Sequence, residues 1–114
     1  MNARSVEFIK TAKKNGVPLT FEKGQVLYYQ DHQPFGAFLI EEGRVELTVV
    51  SSGGRKEVIG LVSTGEFAGL DDLLSKKEYT ASATCIAKCR VLFLSKIQIQ
   101  DTGRGEVAKK SASL

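Results

Sequence analysis

Tryptophan is absent, histidine and methionine occur once each, and the 114 residues hold only two cysteines and two prolines. Each scarcity closes a class of function. His32 has no second histidine with which to share a metal ion or relay a proton, so it reads as a solvent-facing loop residue beside Pro34. Cys85 and Cys89, spaced C-x3-C, lack the further Cys or His ligands that a zinc site or an iron–sulfur cluster needs. They read as core or near-core side chains rather than a redox pair. Apolar runs such as Val91-Leu92-Phe93-Leu94 are far too short to cross a bilayer. Arg4, Lys10, Lys13 and Lys14 surround a weak apolar pattern with no signal-peptide core, so the expected location is cytoplasmic, away from membranes. No G-x-S-x-G elbow is present, and Ser51-Ser52 has no base beside it. The adjacent pairs Glu41-Glu42 and Asp71-Asp72 send their carboxylates apart, which makes a poor acid/base dyad. The sequence predicts no enzyme.

What is present suits one small β-rich domain. A mass of 12.4 kDa, with 42% hydrophobic and 25% charged residues, allows one modest core. Eleven glycines against two prolines favour tight turns between short strands. The net charge of +3 gathers near the C-terminal end, where Lys88, Arg90, Lys96, Arg104, Lys109 and Lys110 face only Asp101 and Glu106. Neither a helix-turn-helix pattern nor aromatics interleaved with these basic residues is found, so direct DNA binding is not expected.

Along the chain, Ser5–Asn15 places Val6, Ile9 and Ala12, with Phe8, at helical spacing, with Ser5 as cap and Gly16 as stop. Residues 1–17 are therefore expected to be an N-terminal helical segment. Strands follow over Pro18–Phe21, Gln25–Gln30, Phe35–Ile40 and Val45–Val50, the last alternating Val45, Leu47 and Val49 with Glu46 and Thr48. Ser51-Ser52-Gly53-Gly54 is a hairpin tip. Arg55–Val62 returns, with Val58, Gly60 and Val62 expected on one face and Ile59 and Leu61 on the other. Thr80–Ala87 and Arg90–Leu94 read as a further hairpin. Periodicity is lost after Ile99, and Gly103 and Gly105 argue against a helix there, so 99–114 is expected to be a flexible tail. The spacing of strands and turns points to an antiparallel sandwich or barrel.

The segment Gly65–Ala83, GEFAGLDDLLSKKEYTASA, reads as a strand end, a glycine-hinged turn, a short helix and a return to strand. Such a loop aims several backbone N–H groups into one small volume, where an anion such as phosphate can sit. In order, Phe21-Glu22-Lys23-Gly24-Gln25-Val26-Leu27, Gly36–Leu47, Gly65–Leu70, Ala81-Ser82-Ala83 and Val91–Leu94 resemble successive motifs of the cyclic-nucleotide-binding superfamily, over residues 18–98. Gly36–Leu47 corresponds there to a strand hairpin, and Gly65–Ala83 to the phosphate-binding cassette. The resemblance implies a mainly β fold, a double-stranded β-helix (jelly roll) with short flanking helices, holding its ligand inside the cassette. A metal-binding cupin, the main structural look-alike, would gather several histidines, which this sequence does not have.

The family pattern meets the ribose hydroxyl with a glutamate after the cassette's second glycine and the phosphate with an arginine near its end. Here those positions are Leu70 and Tyr79. Neither supplies the missing interaction, and Asp71 and Asp72 compete with an anion for the same N–H groups. Lys76 and Lys77 are expected to point to solvent. The run Gly69-Leu70-Asp71-Asp72-Leu73-Leu74 resembles sensor domains of the fumarate–nitrate-regulator branch, which use the fold without the arginine–glutamate pair. That branch, like the catabolite-activator type, continues into a dimerisation helix and a winged helix-turn-helix, with no counterpart expected here. The resemblance leaves two classes. One is a sensor whose small-molecule effector, cAMP or cGMP bound weakly or another compound, contacts Gly65, Glu66, Phe67, Ala68, Gly69 and Leu70. The hydroxyls of Tyr79, Thr80 and Ser82, with Ala81, complete that expected site. The other is a ligand-free module that docks a protein partner or a second copy, its pocket filled by Leu70 and Tyr79.

Overall fold

The structure is a computed structural model, and it describes residues 3–103. Helix α1 (Ala3–Asn15) leads into β1 (Val17–Phe21), β2 (Val26–Tyr28), β3 (Gly36–Glu42), β4 (Val45–Val50), β5 (Lys56–Val62) and β6 (Phe67–Ala68). Helix α2 (Leu70–Leu74), β7 (Ser82–Cys85), β8 (Cys89–Ser95) and helix α3 (Lys96–Gly103) complete the order. Two four-stranded antiparallel sheets, β1-β8-β3-β6 and β2-β7-β4-β5, face each other. This is the jelly roll with short flanking helices.

Two of the expected hairpins do not form. β7 pairs with β4 and β2, whereas β8 pairs with β3 and β1. The Ile86–Lys88 link therefore carries the chain from one sheet to the other. β3 and β4 part in the same way at Gly43, because each must cover a different side of the core. The β4–β5 hairpin is formed, closed by Ser51 and Arg55. Its register slips between Leu47↔Gly60 and Thr48↔Val58, so Ile59 is an extra, bulged residue that interrupts the expected alternation.

Strand β3 shows why the fold holds. Phe38 and Ile40 point between the sheets, with Tyr28, Val45, Val91 and Tyr79. Ala37 and Leu39 point the other way, into a second core shared with Phe8, Ala12, Leu70, Leu92, Leu94 and Ile99. A continuous apolar strand thus serves two layers at once, and β8 alternates likewise.

Helix α1 buries Phe8 and Ala12, while Val6 is 40% exposed, so the apolar face is narrower than its spacing predicts. Ser5 lies within the helix rather than capping it. The expected tail is also corrected: α3 runs to Gly103, and Ile99 is fully buried. Its start is a reciprocal cap. The Gln98 amide donates to Ser95 Oγ at 3.2 Å, and the Ser95 amide donates to Gln98 Oε1 at 3.0 Å. The remaining tail, residues 104–114, lies outside the described residues.

Candidate functional site

A cavity of about 460 Å³ opens beneath the cassette. Of the residues expected at a ligand, Gly65, Glu66, Phe67, Ala68, Gly69, Leu70, Thr80 and Ala81 line it. Ile9, Tyr28, Leu47, Val62, Asp71 and Asp72 complete the lining. Tyr79 and Ser82 do not reach it. The Ser82 hydroxyl accepts the Gln30 amide at 2.9 Å on the far side of its strand.

The cassette begins where the Gly65 amide donates to the Ile40 carbonyl at 2.8 Å and the Ile40 amide donates to the Glu66 carbonyl at 3.0 Å. Glu66 turns back on its own loop, accepting the Ser63 amide at 2.8 Å. Gly69 then leads into α2 with φ +88°. A Cβ there would stand 3.1 Å from both the Tyr28 and Tyr79 rings, so this close approach of backbone to aromatic surface requires glycine.

Tyr79, at the position where the resemblance implies an arginine, turns inward. It is fully buried, and its ring stacks on Tyr28 with centroids 3.9 Å apart and planes 16° apart. Its hydroxyl donates to the Gly36 carbonyl at 2.7 Å and accepts the Phe35 amide at 3.2 Å. Burial pushes its pKa up, against the opposing effect of the Phe35 and Gly36 amides. Its backbone is held as firmly: its amide donates to the His32 carbonyl, and its carbonyl accepts the Asp31 amide. The residue is a core element of the barrel.

The next residue is engaged too. Asp72 Oδ2 accepts both the Thr80 amide, at 3.1 Å, and the Thr80 hydroxyl, at 3.2 Å. A carboxylate of the chain itself thus occupies donors expected to face a ligand anion. Among the described residues no lysine, arginine or histidine lines the cavity, whereas Glu66, Asp71 and Asp72 do. Lys76 and Lys77 are exposed and lie outside it. Leu70 lines the cavity while packing into the core beneath the helices.

Tyr28 escaped the sequence reading because Tyr28-Tyr29 is a pair in a short strand, and nothing local says which faces inward. Tyr28 is 4% exposed and Tyr29 54%. Burial pushes the Tyr28 pKa up, with a further rise from Asp72 nearby. Cys85 and Cys89 are buried free thiols at the barrel end, and burial, with a hydrogen bond to Cys89, pushes the Cys85 thiol up to about 12. His32 is exposed, with its ring 5.5 Å from that of Tyr29. No described helix is long and apolar enough to cross a membrane.

The model of the cyclic nucleotide-binding domain matches residues 18–103. Among curated proteins, the neuropathy target esterase of Drosophila persimilis is 25% identical over 65 residues, which are 57% of this chain and 4% of that protein. Among solved structures, the N-terminal domain of a transcriptional regulator from Streptomyces coelicolor superposes with a TM-score of 0.72 at 23% identity, covering 96% of this chain and 74% of that one. The Thermus thermophilus catabolite activator protein gives 0.71 at 20% identity, over 99% of this chain and 56% of that one. An EAL enzyme in its cAMP-bound form gives 0.67 at 20% identity, over 73% and 22%.

Proposed function

This chain belongs to the cyclic nucleotide-binding domain family, and we propose that it is a non-catalytic regulatory sensor domain whose cassette no longer grips a cyclic phosphate. Its setting is cytoplasmic signal transduction, and its effector is a small molecule held by the cassette lining from Gly65 to Leu70 with Thr80 and Ala81. The observation that carries the reading is Tyr79: the family's arginine position is taken by a ring stacked in the core, with its hydroxyl on Gly36. A charge-assisted hydrogen bond contributes about 1.5–3 kcal/mol, so its loss alone lowers affinity roughly tenfold to a hundredfold. The carboxylates of Glu66, Asp71 and Asp72 on the cavity wall lower it further. Titration calorimetry with cyclic AMP and cyclic GMP is expected to show no binding tighter than micromolar. Submicromolar affinity for either overturns the reading.

A second reading, a docking module for a protein partner or a second copy, is favoured by one observation. Strand β5 lies at a sheet edge and exposes Val58, Ile59 and Leu61 by half or more. Dimerisation on sizing, lost when Ile59 is replaced by lysine, would favour it over the sensor.

A further inference from the structure

Tyr28 and Tyr79 stack as a pair, but their hydroxyls meet different fates. The Tyr79 hydroxyl is bonded within the barrel. The Tyr28 hydroxyl belongs to a residue only 4% exposed, yet it makes no hydrogen bond with any described residue. No fully buried side-chain oxygen or nitrogen among the described residues lacks a partner, so this hydroxyl keeps some access to solvent; Tyr28 lines the cavity, and its hydroxyl feels the charge of Asp72, which lines it too. A hydroxyl on an otherwise buried residue, without a protein partner beside an open cavity, is a group whose bonding a ligand atom can complete.

The charge around it has one sign. Glu66, Asp71 and Asp72 line the same space, and among the described residues no lysine, arginine or histidine balances them there. Asp72 uses Oδ2 for both bonds to Thr80, which leaves Oδ1 without a partner among the described residues. Leu47, Val62 and Phe67 also line the cavity and make part of its wall apolar. An anion entering would meet carboxylates, whereas a cation would gain charge-assisted hydrogen bonds against a low-dielectric wall.

We infer that the cavity is a binding site for a small organic cation, an amine or amidine carried on a flat apolar ring, its head toward Asp72 Oδ1 and the Tyr28 hydroxyl. This rests on the reading that the cassette has lost its phosphate partner. Three probes of one shape separate charge from fit: benzamidine, neutral benzamide and anionic benzoate. They are titrated into the isotopically labelled protein, following the amide resonances of Gly69, Thr80 and Ala81. Benzamidine is expected to shift these amides and to bind at least about tenfold more tightly than benzoate, with benzamide between. Asp72→Asn should weaken benzamidine about tenfold while leaving benzamide little changed. Tyr28→Phe, which keeps the ring on Tyr79, should weaken both benzamidine and benzamide.

Benzoate binding as tightly as benzamidine, shifts confined to residues away from the cassette, or no shift with any probe at millimolar concentration would each overturn the inference. If cyclic AMP also fails to bind tightly, the inference falls alone and the preceding reading stands. Submicromolar cyclic AMP binding removes both.

Discussion

Replacing Tyr79 with phenylalanine removes one oxygen from the barrel and leaves the ring free to stay on Tyr28, at 3.9 Å between centroids. That oxygen donates to the Gly36 carbonyl at 2.7 Å and accepts the Phe35 amide at 3.2 Å, in a residue with no solvent exposure. A net hydrogen bond contributes about 0.5–1.5 kcal/mol, and leaving buried partners unmet raises the cost to about 1–3 kcal/mol. For a domain of this size each kcal/mol lowers the melting temperature by roughly 4–8 °C, so a fall of at least about 4 °C is expected. Thermal melts followed by circular dichroism near neutral pH, where the phenol is protonated, measure it directly. Tyr29→Phe is the control: at 54% exposure and with no hydrogen bond from its hydroxyl, it should change stability by less than about 0.5 kcal/mol. If Tyr79→Phe melts with the parent protein, the hydroxyl is not a structural bond, and the argument that this side chain has left the ligand site loses its basis.

Ile99→Ala should destabilise by about 2–5 kcal/mol in urea unfolding, because Ile99 is fully buried in α3; a neutral result would return residue 99 to a loose tail. Gly69→Ala and Gly65→Ala both place a side chain at positive φ, at a cost of about 1–2 kcal/mol. Only at Gly69 does the new Cβ meet Tyr28 and Tyr79, so Gly69→Ala should be clearly the worse of the two by melting temperature. Stability should hold up to about pH 9, then fall as pH rises toward 12. The unfolded chain releases the Cys85 proton first, while burial holds the folded thiol protonated up to about 12. Urea midpoints across that range test the sign, and Cys85→Ala should flatten the decline.

Residues that serve both structure and motif were legible in the sequence. Val91-Leu92-Phe93-Leu94 alternates between two cores, and any strand buried on both faces must show an unbroken apolar run. The segment Gly65–Leu70 stood out through its resemblance to the family's cassette, and its glycines at 65 and 69 do take the positive φ that the turn needs. Sheet partnership left none: nothing in Thr80–Leu94 distinguishes a hairpin from a link between sheets, because both need a short polar turn. The α3 helix was legible in principle. Ser95-Lys96-Ile97-Gln98 carries the S-x-x-Q signature, and both of its reciprocal bonds form. Gly103 and Gly105, poor helix formers just downstream, point the other way. Tyr28 had no such signature, because its inward orientation depends on pairing with β7, far along the chain.

On the proposed reading, the departures from the family's cassette pattern are parts of one rearrangement rather than separate losses. A tyrosine at position 79 can enter the core only if a flat partner lies beneath it, and Tyr28 supplies one. The two rings can stack there only if the loop above presents no side chain, and Gly69 leaves that space. With the cation gone from the loop, the Thr80 amide and hydroxyl would face the cavity without an acceptor, and Asp72 supplies that acceptor from the helix alongside. Each step makes the next compatible with a folded barrel, and together they turn a loop suited to an anion into one lined with carboxylates. The cavity persists through this exchange, at about 460 Å³, because Leu70 packs toward the helices rather than across it. An open space lined by Tyr28 and Asp72 supports the proposed reading of a pocket altered in what it accepts rather than abandoned.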